Sequence, residues 1–121
     1  MIIRQLRRTA IIVKPKEPYI QWANSLDEDG IKLGEEFEPE HTIYLIEDIT
    51  GYLIDIEAMI TPHYEFIFEE ELNSWHRHKN DWPARRDLAT FLEWFEVECH
   101  STVHFVERSS SFTSQVRIER P

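Results

Sequence analysis

The sequence predicts a small α+β (or α/β) domain in the order β-α-β-α-α-α-β. Its core is a mixed sheet of about three strands, with roughly three to four helices packed on it. Three observations carry this expectation. Residues 61–75 set apolar side chains at helical spacing. Thr9–Val13 and Thr42–Ile46 are β-branched, apolar runs of strand length. Residues 97–106 alternate between apolar and polar.

Taken in order, Thr-Ala-Ile-Ile-Val at 9–13 is almost continuously apolar, which suits a central strand buried on both faces. Lys14-Pro15 ends it, and Pro18 suits the first turn of a helix. Tyr19, Trp22, Ala23 and Leu26 share one face of that helix. Residues 27–41 are polar and contain Gly30, Gly34 and Pro39, so they read as a surface loop with one short turn around Leu33–Phe37. Thr42–Ile46 forms the second strand, closed by Glu47-Asp48. Residues 50–60 fit two patterns: a helix aligning Leu53, Ile56 and Ile60, or a strand aligning Tyr52, Ile54 and Ile56. Helix is favoured, because Ala58-Met59 runs on into the next helical stretch.

Thr61 and Pro62 read as the cap and first position of the principal helix. Tyr64, Ile67, Phe68, Leu72 and Trp75 then lie on its inner face, with Glu65, Glu69 and Glu70 outside. Glu71 breaks this pattern by projecting into the apolar stripe. A carboxylate there needs a charge partner or hydrogen bonds. His76–Arg86 is a basic loop broken by Asn80-Asp81 and Pro83. Asp87 caps the next helix, whose inner side is Leu88, Phe91, Leu92, Trp94 and Phe95. From Val97 to Val106, Val97, Cys99, Val103 and Phe105 point one way, and Glu98, His100, Thr102 and His104 the other.

The chain has 121 residues, which suits one globular domain over 1–108. Residues 109–121, opening Ser-Ser-Ser, read as a loosely ordered C-terminal tail, although Val116 and Ile118 alternate weakly. The net charge is −10, and all of it falls in Asp27–Glu57, where eleven acids meet one base, Lys32. Such a balance argues against nucleic-acid binding, which needs a basic footprint. No run approaches a membrane span, and Met1–Arg8 lacks the apolar centre of a secretory signal. Cys99 is the only cysteine, so no disulfide forms within the chain. A cytoplasmic location is the expectation.

Candidate chemistry is sparse. Glu71, Glu98 and His100, with Arg85 and Arg86, form a candidate polar site if the helices cover the Glu98 face of the last strand. His76, Arg77, His78 and Trp82 are candidate partner-binding residues. No metal site is expected: His100 and His104 stand about 13 Å apart along a strand, and neither CxxC nor HExxH is present. No nucleophile elbow and no glycine-rich phosphate loop occur, and no cofactor is implied.

Several pieces resemble a family of small, acidic, uncharacterised bacterial proteins. They are Lys14-Pro15, Pro18-Tyr19, Trp22, Asn24-Ser25-Leu26, Ile67-Phe68-Glu69, Glu71-Leu72, Trp75 and Asp81-Trp82-Pro83. The last lacks the residue that intervenes in the family pattern. Phe91 also matches, and Trp94-Phe95, Val97-Glu98 and His100-Ser101 are the most specific. The likeness runs over most of residues 8–106. It implies a bacterial origin, supports helix over hairpin for residues 50–60, and carries over no catalytic residue. The expected function is a non-catalytic protein-interaction or accessory module, with a protein partner or a homodimer. The alternative is a small-molecule-binding or enzymatic domain built on a buried Glu/His/Arg site. Glu71 paired to arginine in a closed core points to the first, and an open pocket with convergent groups to the second.

Overall fold

The computed structural model describes residues 2–6, 8–27, 29–47 and 55–108, with the backbone alone for 2–6. The expectations for residues 50–54 and for the tail 109–121 lie outside the described residues. The elements are β1 (Ile2–Leu6), β2 (Arg8–Pro15), α1 (Glu17–Ser25), β3 (Thr42–Glu47), α2 (Ile56–Ile60) and α3 (Tyr64–Trp75). A 3₁₀ turn at Lys79–Asp81 precedes α4 (Leu88–Trp94), β4 (Phe95–His100) and β5 (Val103–Glu107). This is the α+β domain expected, with one more strand at each end.

The three-stranded sheet has the order β3-β2-β4, so β2 is central as its composition requires. Both pairings are antiparallel, in place of the mixed directions expected. Thr42 at the start of β3 lies opposite Val13 near the end of β2, so α1 and the loop after it return the chain to the end of the sheet at which β2 leaves.

The described helices lie on one face of this sheet. Thr9, Ile11 and Val13 are buried beneath them, while Ala10 and Ile12 are half-exposed on the other side. The expectation that β2 is covered on both faces is therefore corrected. The core joins Ile11 and Val13 to Tyr19 and Ala23 of α1, Ile60 of α2, Ile67, Phe68 and Leu72 of α3, and Phe91 and Phe95. Phe68 is its hub, with ring centroids 5.6 Å from Phe91, 5.8 Å from Trp94 and 5.5 Å from Phe95.

β1 pairs with β5 from Ile2↔Glu107 to Leu6↔Val103, and β2 pairs with β4 from Ala10↔His100 to Pro15↔Phe95. The expected single strand 97–106 is thus two strands, with Ser101-Thr102 between them.

The principal helix starts later than the Thr61-Pro62 signal suggests. α2 is capped by Asp55, whose carboxylate accepts from the Ala58 N–H at 3.0 Å. Thr61 ends α2: its N–H and its hydroxyl both donate to the Glu57 carbonyl, at 3.0 and 2.6 Å. Pro62 has no N–H to continue that ladder, so the chain turns and α3 begins at Tyr64. Asp87 caps α4 as expected, accepting from the Thr90 N–H at 2.8 Å.

Candidate functional site

Glu71 sits on the inner side of α3 and is only 5% exposed. Its neighbours come from β3, where Thr42 and Tyr44, two residues apart, face the helices. The Tyr44 hydroxyl donates to Glu71 Oε2 at 2.6 Å, and the Thr42 hydroxyl nearby also favours the ionised carboxyl. The backbone carbonyl of Glu71 is held as well. It accepts from the Tyr19 hydroxyl at 2.9 Å and from Ser74 Oγ at 2.8 Å. Three hydroxyls, one each from α1, β3 and α3, thus fix one residue.

Burial pushes the Glu71 carboxyl above the usual carboxylate range; the Tyr44 and Thr42 hydroxyls pull against it, and Glu70 adds to it. Both phenols, Tyr44 and Tyr19, are also raised, first by burial and then by the neighbouring Glu71. Hydrogen bonding satisfies the carboxylate without neutralising it.

Glu71 lines a cleft of about 430 Å³. Tyr19, Phe37 and Trp75 supply aromatic walls, and Glu38 and Glu40 add two more carboxylates. No lysine, arginine or histidine is among its described lining residues. Lys32, the one base of the acidic segment, is engaged elsewhere: its Nζ donates to the carbonyls of Asn24 and Asp27, at 3.1 and 2.8 Å. The rim is ordered by local bonds. Asn24 clasps Leu33 through both backbone groups, at 3.0 and 2.9 Å. Leu33 bridges to Phe37, and Gly34 takes the positive φ of 86° that this turn needs.

The other candidates do not join Glu71. Phe95, Val97 and Cys99 face the helices, so Glu98 and His100 lie on the opposite side of the sheet. There Glu98 bonds Lys14 at 2.6 Å and His100 at 3.3 Å. Lys14 and then His100 hold the Glu98 carboxyl below its ordinary range. Arg85 donates to Asp87 at 2.8 Å, and Arg86 donates to the Pro83 carbonyl at 2.7 Å. The five-residue polar site is therefore three separate features.

In the basic loop, His76 Nε2 lies 2.8 Å from Asp81 Oδ2, while Arg77 and His78 are exposed. Trp82 is 7% exposed, and its indole N–H donates to the His76 carbonyl at 2.8 Å. Lys79 and Arg86 lie over its ring, at 5.8 and 5.7 Å. Its ring is thus a plug under the loop, with little surface left to serve as an anchor.

The sequence set Glu71 beside Trp75 on the inner stripe of the helix, but did not identify Tyr44, Thr42, Tyr19 or Ser74 as its company. One signal pointed to β3: Thr42 and Tyr44 put two hydroxyls on one strand face. Among the described residues, no group of three or more His, Cys, Asp or Glu side chains is placed to hold a metal ion. Among them, too, no helix is long and apolar enough to cross a membrane. Compared with protein-family models, curated proteins and solved structures, the chain matches none.

Proposed function

We propose that this protein is a non-catalytic interaction module whose Glu71 cleft receives a cationic side chain, lysine or arginine, from a protein partner. One observation carries the reading: a buried carboxylate in an aromatic-walled cleft, with two further carboxylates and no base among its described lining residues. Aromatic faces and carboxylates together favour an organic cation. The acidic stretch around the cleft adds long-range attraction for a basic partner. Neither arrangement expected for the two readings is met in full. Glu71 lines an open cleft with no arginine among its described lining residues. His100, Arg85 and Arg86 do not converge on it, and the Tyr44 phenol beside it is held above its normal pKa, which disfavours catalysis. A bacterial, cytoplasmic setting goes with this reading, supported by the family resemblance and the single cysteine.

An incoming cation stabilises ionised Glu71 and so lowers its raised pKa. Binding is therefore coupled to proton release and strengthens as pH rises through the free-state value. The cleft volume also falls within the ~300–1,000 Å³ typical of small-molecule sites. A free organic ammonium or guanidinium ligand is the second reading.

Calorimetric titration with short blocked peptides carrying Arg, Lys or Gln at one position tests the proposal. The Arg and Lys peptides should bind, weaken with added salt, and lose about tenfold or more in affinity to Glu71→Gln. Equal binding of the Gln peptide, or an unaffected Glu71→Gln variant, would overturn it.

A further inference from the structure

We propose that two copies of this chain join edge to edge through β3, continuing the three-stranded sheet across a two-fold axis. This is independent of the Glu71 cleft. The sheet has two edge strands, and they differ in chemistry. On its open face β4 carries Glu96, Glu98 and His100, charged and polar groups of the kind that protect an edge from pairing. β3 carries Ile43 and Leu45 there, 61% and 53% exposed, with no lysine or proline in the strand. Among the described residues, β2 alone makes backbone hydrogen bonds to β3. An apolar strand whose outer backbone edge has no partner among the described residues is a template for another strand.

The sequence of β3 selects a second copy as that strand. With Tyr44 set opposite Tyr44 of the second copy in an antiparallel pair, Ile43 meets Leu45, Thr42 meets Ile46, and His41 meets Glu47. Directly opposed residues share a face. The Ile43–Leu45 pairs therefore extend the open apolar face beside Ile12, while Tyr44 and Ile46 stay on the helix side. Each end closes with an imidazole facing a carboxylate. A shift by two residues sets Glu47 opposite Ile43, or His41 opposite Leu45. A shift by one turns the apolar faces in opposite directions. One register thus satisfies both the apolar and the polar positions.

Sedimentation equilibrium of the full chain over roughly 1–100 μM reads the result directly. The proposal predicts a mass about twice the 14.6 kDa of one chain. Leu45→Lys, at an exposed position, should keep the circular dichroism spectrum and raise the dimer dissociation constant about tenfold or more. Glu47→Lys should weaken the dimer, and His41→Glu added to Glu47→Lys should restore it, because Glu then opposes Lys at both ends. A single-chain mass across the range would overturn the proposal. So would a Leu45→Lys variant that dimerises as tightly as the parent, or a double variant that recovers nothing.

Discussion

Replacing Tyr44 by Phe removes one hydroxyl and leaves the ring in place. The lost bond is the 2.6 Å contact to Glu71, whose side chain has almost no access to water. A hydrogen bond to a charged group contributes about 1.5–3 kcal/mol, and one between neutral groups about 0.5–1.5 kcal/mol. No cavity penalty enters, because the apolar volume is conserved. At neutral pH, with Glu71 ionised, the variant should therefore lose about 1.5–3 kcal/mol. Below the raised Glu71 value the loss should shrink to about 0.5–1.5 kcal/mol. Urea unfolding measures this: with a slope of about 1–3 kcal/mol/M, the midpoint should fall by roughly 1 M at pH 7. A difference that is negligible at pH 7, or that grows as the solution is acidified, would refute the claim that Tyr44 supports a buried carboxylate.

Three further outcomes follow from the same contacts. A group whose folded pKa is raised gives its stability below the ordinary range and loses it as pH rises through the folded value. Glu71→Gln should therefore gain stability relative to the parent as pH rises, and urea midpoints across a pH series would show the gap opening. Trp94 packs against Tyr19, Trp22 and Phe68 at 6.3, 6.0 and 5.8 Å, so Trp94→Ala should lose roughly 3–5 kcal/mol. An unchanged melting temperature would count against it. Asp87 is held below its usual range, first by the Thr90 hydroxyl and then by Arg85. Asp87→Ala should melt lower than the parent at pH 7, and the deficit should close as pH falls through the folded Asp87 value.

Much of the fold was legible because it rests on local periodicity. The inner stripe of α3 contains Ile67, Phe68 and Leu72, and all three are buried. The run at 9–13 supplies the central strand, and Asp87 caps the helix it precedes. β1 was missed because Ile2–Leu6 gains its strand character from pairing with β5, at the far end of the chain. The site was half legible. Glu71 stood out as a carboxylate within an apolar stripe, so a need for partners could be read. Their identity depends on how α3 lies against β3, which no spacing along the chain encodes. Glu98 and His100 shared a strand face as expected, but the face was the wrong one for meeting Glu71. At the end of α4, Trp94 is followed directly by β4, and Phe95 turns into the core. That junction sends the odd-numbered residues inward and leaves Glu98 and His100 outside. Trp75, placed with the core by its spacing, is 37% exposed beside the cleft and donates its indole N–H to the Ala23 carbonyl at 3.2 Å.

The decisive quantity is the titration of one carboxyl group. Carbon-detected NMR of the Glu71 side chain across pH, without and with a saturating blocked arginine peptide, reads it directly. A free-state midpoint above the ~4.3 of an ordinary glutamate, moving down when the peptide is present, is the predicted result. An ordinary midpoint in the free chain, or one that the peptide leaves in place, would contradict a buried acid that receives a cation.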